Sequence, residues 1–496
     1  MFVHSKLSVR AVVGMVGFLG LAAGCQLGLL PQRPVPLPPG VDPGDVRDVA
    51  AIPDPPQAHD SLVKKLSRQG ELKKQARESE RQKAADLSAQ YTRAGEKAGL
   101  VGRLLFDRGA AAVAAAPEPK RYKLLALSGG GMFGAYSAGV VCGWSDAGTR
   151  PTFDVVTGIS AGTLVGLAVY AGPEYNDQLR HLLTSVYNED IYKIFPGVLG
   201  RVLARGGVAS SEPLDRQLQQ VMTPDYFEAV ARAHEAGRRF YVGTTNVDTR
   251  RFVIWDMGAI AVKRTPEART LYRKVALASA SFPGFLTPVP ITVDIDGKPY
   301  TEFHVDGGTA RAVFFHPPPG ADGAPIFGED KLPDTDLYVV VAGKIYGDPV
   351  GTPPQAWSVG FRAVSTLLDS GTRSELFRMF SYSKYAGMNF HMNALRPDYE
   401  VPAQSMTFDP VVMSGLFLEG YNRARCEPAE TLWDSEPPET DPRASLVTRQ
   451  GTCLTAAPLA PAPLPTATET PNASPPVTPR PVGPRPSPRL PSSLIP

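Results

Sequence analysis

The chain has 496 residues, long enough for one large core or two domains, and its 50 prolines crowd into the stretches 31–56 and 458–496, which read as linker and tail. With 51 basic against 49 acidic residues the net charge is +2, so no overall field favours nucleic acid or an acidic partner. One core with tails is the expectation.

At the N-terminus, Lys6 and Arg10 precede the apolar stretch 11–23 and then Gly24-Cys25, which is the layout of a bacterial export signal over residues 1–25. The apolar stretch is shorter than the roughly 20 residues that span a bilayer, which disfavours a retained membrane helix. Leu21-Ala22-Ala23-Gly24-Cys25 resembles a bacterial lipobox, with Ala22 where leucine is usual. That resemblance implies lipidation at Cys25 and a membrane anchor in the cell envelope, with Gln26 favouring the outer membrane; a secreted or periplasmic protein is the alternative. Residues 26–58 form a Pro-rich linker. Residues 60–105, dense in charged side chains and free of proline, predict an exposed helical spacer. In an exported chain disulfides persist, so Cys426 and Cys453 could pair, while Cys142 lies in an apolar run and reads as a small buried hydrophobe.

From Lys123 the pattern alternates between strand and helix. A strand at 123–127, a glycine loop, a helix at 135–144, a strand at 153–157 and a helix after Ser160 predict an α/β fold with a mostly parallel sheet. Strands follow at 240–245 and 251–255, then a helix at 265–280 closed by Pro283-Gly284. The run 291–305 predicts a hairpin turning at Asp296-Gly297. A buried strand at 337–342 and helices at 355–380 and 411–424 complete the folded part, and 456–496 reads as a disordered Pro-rich tail.

Chemistry concentrates in three strings. Gly158-Ile159-Ser160-Ala161-Gly162 stands between a strand and a helix, the setting in which a G-x-S-x-G turn holds a serine nucleophile on a strained elbow. Upstream, Ser128-Gly129-Gly130-Gly131 lies between a strand and a helix, where free N–H groups converge and suit an anion. In acyl transfer that anion is the oxygen of the tetrahedral intermediate, and one lost donor costs about 3 kcal/mol of transition-state stabilisation. Downstream, Asp306-Gly307-Gly308 puts a carboxylate at a strand end. No cofactor and no metal ligand set enters this chemistry.

Taken in order, the run Leu127 to Gly139, the elbow and Asp306-Gly307-Gly308 resemble the patatin-like phospholipase family. Thr244 to Thr249, Ala278 to Phe285 and Phe408 to Tyr421 match further blocks, so the resemblance covers residues 121–425. It implies a three-layer α/β/α fold and a Ser-Asp dyad. Ser160 would be the nucleophile, Asp306 the general base, and Gly129, Gly130 and Gly131 the oxyanion donors. The implied activity is hydrolysis of a lipid acyl ester through an acyl-Ser160 intermediate. Phe133 departs from the pattern where many members carry Arg or Lys, which opens the headgroup preference to neutral lipids and other acyl esters.

Three other readings compete. Gly129, Gly131 and Gly134 also satisfy the dinucleotide fingerprint, but Asp154, which has the spacing of its acidic partner, opens its strand instead of ending it. A Ser-Asp-His esterase would draw on His316 or His391. A non-catalytic envelope lipoprotein that binds lipid would keep the fold without the chemistry.

Overall fold

A computed structural model describes residues 121–197, 206–295, 298–320, 323–328, 331–348, 351–401 and 406–441, together with 47–48 and scattered residues between 75 and 89. The chain divides into 1–442 and 443–496, and every described residue belongs to the first part. The export signal with Cys25, the Asp296-Gly297 turn, Cys453 and the tail lie outside the described residues. Within the expected spacer, the described residues between 75 and 89 are helical, and Gln82 Nε2 donates to Asp86 Oδ1 at 3.0 Å.

The main sheet takes its strands in the order β1 (Arg47–Asp48), β7 (Arg251–Asp256), β6 (Arg239–Asn246), β3 (Val155–Gly158), β2 (Lys123–Leu127), β11 (Asp336–Val340) and β12 (Asn389–Asn393). From β6 to β12 the strands run parallel; β7 joins β6 antiparallel. A hairpin of β9 (Val289–Ile295) and β10 (Lys298–Asp306) also docks on β6 through β10. Its innermost pair is Ile295 with Lys298, the register that a two-residue connection requires. A small second sheet joins β4 (Lys193–Ile194), β5 (Gly207–Ser210) and β8 (Gly284–Leu286).

Strand β2 reads Lys-Leu-Leu-Ala-Leu because a central parallel strand is covered on both faces. Alternate side chains point to opposite faces. Leu125 and Leu127 enter a core with α1 (Gly134–Asp146), α2 (Ala161–Ala171) and α10 (Pro410–Cys426). Leu124 and Ala126 enter another with Phe314, Phe315 and the buried side of α9 (Ala356–Ala386). Helices therefore cover both sides of the sheet, the α/β/α layering expected from the sequence. Helix α9 continues six residues past its expected end, to Ala386, and stops where Gly387 adopts φ 79°. Helices α3 (Asn176–Thr184), α4 (Asn188–Ile191), α5 (Glu212–Val221) and α6 (Pro224–Glu235) fill a segment for which the sequence pattern predicts no element, and the short α7 (Met257–Ala261) follows β7.

The β6 strand sets the distances of the site. On one edge, Gly158 of β3 is registered with Val242, and Asp306 of β10 with Thr244. Two residues of strand are about 7 Å, so the ends of β3 and β10 arrive side by side. Below them the strand ends on a buried polar chain: Trp255 Nε1 donates to Thr244 Oγ1 at 2.8 Å, Thr244 Oγ1 meets His304 Nδ1 at 3.0 Å, and His304 Nε2 meets Glu302 Oε2 at 3.0 Å.

Candidate active site

Chain direction reverses abruptly after β3. Ser160 sits at φ 52° and ψ −124°, a left-handed conformation that is strained for a residue with a Cβ. The turn is closed by Gly162 N–H to Ile159 O at 2.7 Å and Thr163 N–H to Ser160 O at 2.9 Å. At Gly162 a Cβ would stand 2.4 Å from the Leu127 carbonyl oxygen, so only glycine lets the elbow press against β2.

A side chain that sequence reasoning does not place in the site steadies this turn. Ser279, the last residue of α8 (Pro266–Ser279), accepts the Ser160 N–H at 3.1 Å and donates to Gly243 O of β6 at 2.8 Å. Its one proton is thus engaged, so Thr163 Oγ1, 2.9 Å away, is the donor of that pair. Two residues on, the carbonyl of Ser281 accepts the Asp306 N–H at 2.9 Å. The only sequence signal for these contacts is membership of Ser279 and Ser281 in the 278–285 segment.

Asp306 ends β10. Its carboxylate accepts the Gly308 N–H at 2.7 Å and has the Ser160 side chain as a neighbour in the cavity wall. Burial pushes its pKa up to about 6, with the neighbouring Ser160 side chain and the Gly308 N–H pulling the other way. A base in that range takes a proton from a hydroxyl more readily than an ordinary aspartate does.

The glycine loop lies on the other side of Ser160. Here the structure corrects the expected donor set: the Gly129 N–H donates to Ala312 O at 2.9 Å and is not available to an oxyanion. Gly129 acts as a spacer instead, since a Cβ there would stand 3.2 Å from Ser160 Cβ. The N–H groups of Gly130 and Gly131 have no partner among the described residues, and both glycines line the cavity above Ser160. Ser128 fixes the loop by accepting the Ala342 N–H at 2.8 Å and donating to Gly129 O at 2.9 Å.

That cavity measures about 280 Å³ and contains Ser160 and Asp306 in its wall. Apolar side chains dominate one set of walls, among them Leu183, Val186, Ile191, Leu214 and Met413. Lys344, Asp348, Arg362 and Asp369 contribute charge from the loop after β11 and from α9, and Phe133 lies in the wall beside the glycines. No histidine lines it among the described residues. His316 donates from Nδ1 to Pro317 O at 2.8 Å and packs on Tyr241; His391 pairs with Asp336 and stacks on Tyr338. Asp154 accepts the Lys123 N–H at the far end of β2 from the glycine loop, away from where a ribose would sit.

Among the described residues no cluster of His, Cys, Asp or Glu could hold a metal ion, and no helix is long and apolar enough to cross a membrane. Cys142 is buried, where desolvation pushes its thiol up to about 12, and Cys426 is exposed.

The family model described as Patatin-like phospholipase matches residues 125–318, which hold the glycine loop, the elbow and Asp306. This stretch is a patatin-like phospholipase domain. Such a domain is that of a lipid acyl hydrolase. The patatin-like match ends before β11, α9 and α10, which complete the layers around it. No curated protein matches the chain. Solved structures similar to it include the crystal structure of VipD from Legionella pneumophila, at 13% identity over 64% of this chain and 68% of that one, with a TM-score of 0.27. Another is the type III effector protein ExoU, at 17% identity over 62% of this chain and 54% of that one, with a TM-score of 0.18. At these TM-scores neither likeness adds to the family match.

Proposed function

We propose that the protein hydrolyses lipid acyl esters through an acyl-Ser160 intermediate, with Asp306 as the only general base. The Ser160 side chain beside the buried Asp306 carboxylate, both in the wall of one largely apolar cavity, carries this reading.

Ser160 Oγ attacks the ester carbonyl carbon while its proton passes to Asp306. The carbonyl oxygen gains the negative charge, and the N–H groups of Gly130 and Gly131 stabilise it. Collapse breaks the bond to the alcohol oxygen, which leaves with the proton from Asp306. Water then attacks the acyl-serine, Asp306 takes its proton, and the fatty acid departs as that proton returns to Ser160. Pre-formed donors and a base already beside the nucleophile reduce the reorganisation each step needs.

Phe133 stands beside the glycine loop, Lys344 is paired with Asp348 at 2.7 Å, and Arg362 lines the same cavity. Phospholipids and neutral glycerides therefore belong in one assay panel with p-nitrophenyl esters. Wild type is expected to turn over and to label at Ser160 with a fluorophosphonate, whereas Ser160→Ala and Asp306→Asn lose at least about a thousandfold in kcat. His316→Ala and His391→Ala should retain activity. Loss in either histidine variant, with Asp306→Asn active, would instead establish a histidine-based esterase. Folded wild type that never labels would point to a lipid-binding module. Anchoring through a lipid on Cys25 is proposed alongside: palmitate incorporation should vanish in Cys25→Ser.

A further inference from the structure

We infer that Ser279 is a positioning residue that holds Ser160 in its reactive conformation, and that the Ser279–Ser281 step sets the distance between Ser160 and Asp306. The inference rests on the acyl-Ser160 reading.

Both members of the pair are gripped through their backbone N–H groups by one short segment. Ser279 Oγ takes the amide of Ser160 and Ser281 O takes the amide of Asp306, at 3.1 and 2.9 Å. The segment is itself anchored. Ser279 donates to Gly243 O of β6, and Ser281 Oγ donates to Leu277 O within α8. Gly243 lies between Val242 and Thr244, the residues on which β3 and β10 are registered. One hydroxyl therefore ties the elbow to the strand that also carries Asp306. Ser279 and Ser281 are both fully buried, so water cannot replace these contacts.

The geometry has two consequences. First, Ser160 occupies a left-handed region that a serine leaves unless its surroundings hold it there. The bond to Ser279 acts on the amide of that residue, where the strain sits. Second, because the Ser160 N–H is engaged by Ser279, the oxyanion is left to Gly130 and Gly131. Ser279 touches no substrate: Ala280 faces the cavity in this segment, but Ser279 does not line it. Its removal should therefore leave substrate binding intact and slow the chemical steps.

The test compares full-length wild type with Ser279→Ala and Ser279→Cys; cysteine has nearly the volume of serine but a weak acceptor. Active sites are counted by fluorophosphonate labelling, and folding is checked by thermal melting. Both variants are expected to lose about 10- to 100-fold in kcat per active site, with KM within about twofold, and to label at a rate reduced by the same factor. Ser279→Thr, which keeps the Oγ, should recover most of the rate. Either folded variant with kcat per site within about threefold of wild type overturns the proposal, as does a loss that falls in KM. If Ser279→Ala does not fold, Ser279→Cys decides by the same criteria. Failure of wild type to label at Ser160 would remove the underlying reading instead.

Discussion

Gly308 donates its N–H to Oδ1 of Asp306 at 2.7 Å, from two residues further along the chain. The bond favours the ionised carboxylate, yet burial outweighs it and the pKa stands at about 6. Only the ionised form can accept the Ser160 proton. The kcat/KM profile should therefore have an acidic limb centred near pH 6, about two pH units above that of an ordinary aspartate, with activity falling as pH drops through it. Gly308→Pro removes the donor and should move the limb upward. A limb at about pH 4 in wild type would remove Asp306 from the role.

The raised pKa also makes a stability prediction. The folded-state pKa of Asp306 lies above its unfolded value, so the protonated form is favoured by folding. The stability it contributes is complete below about pH 4 and is lost as pH rises through 6. A rise of about two pH units corresponds to a penalty on the order of 3 kcal/mol at about pH 8. Asp306→Asn should therefore melt higher than wild type at about pH 8, with the difference shrinking toward about pH 4. Equal melting temperatures at both pH values would contradict it.

Gly130 tests the oxyanion donors. A Cβ at this position would meet the Ala342 carbonyl oxygen at 2.2 Å, and backbone cannot yield cheaply. Gly130→Ala should displace the loop and lower kcat by about 10²- to 10³-fold, as the loss of one donor does elsewhere. Gly148, with open space around its Cβ position, is the control; Gly148→Ala should keep full kcat, despite strain from its φ of 71°.

Glu302 and His304 provide a test that separates fold from chemistry. Both are buried, their side chains 3.0 Å apart, and Thr244 links them to Trp255. Glu302→Ala leaves His304 without this partner in a site closed to water, and should destabilise the protein by about 1–3 kcal/mol. Turnover per labelled active site should stay within about twofold of wild type. Denaturant melts and active-site titration on the same samples measure both.

Much of the site is legible in the chain because its signals are local. A strand, G-x-S-x-G and a helix encode the elbow within a dozen residues, and Ser160 is found on it at positive φ. The hairpin leading to Asp306 is readable from its alternation and the Asp296-Gly297 dipeptide in the sequence. Gly129 escapes such a reading for a related reason: three consecutive glycines have equivalent sequence signals, and only the chain returning at Ala312 distinguishes the engaged amide from the free ones. Ser279 carries no mark of its own, since a serine at a helix end ordinarily reads as a terminus and not as a clamp on another turn.

By itself, then, the amino-acid order determined the layered α/β architecture and the elbow that presents Ser160, because apolar periodicity and glycine placement act over a few residues. Only the tertiary structure decided that β3 and β10 share one edge of β6, that the Gly130 and Gly131 amides have no partner among the described residues, and that burial raises the Asp306 pKa to about 6. Strand registry, hydrogen-bond partners and desolvation depend on segments far apart in the chain, and they take their values only when those segments pack.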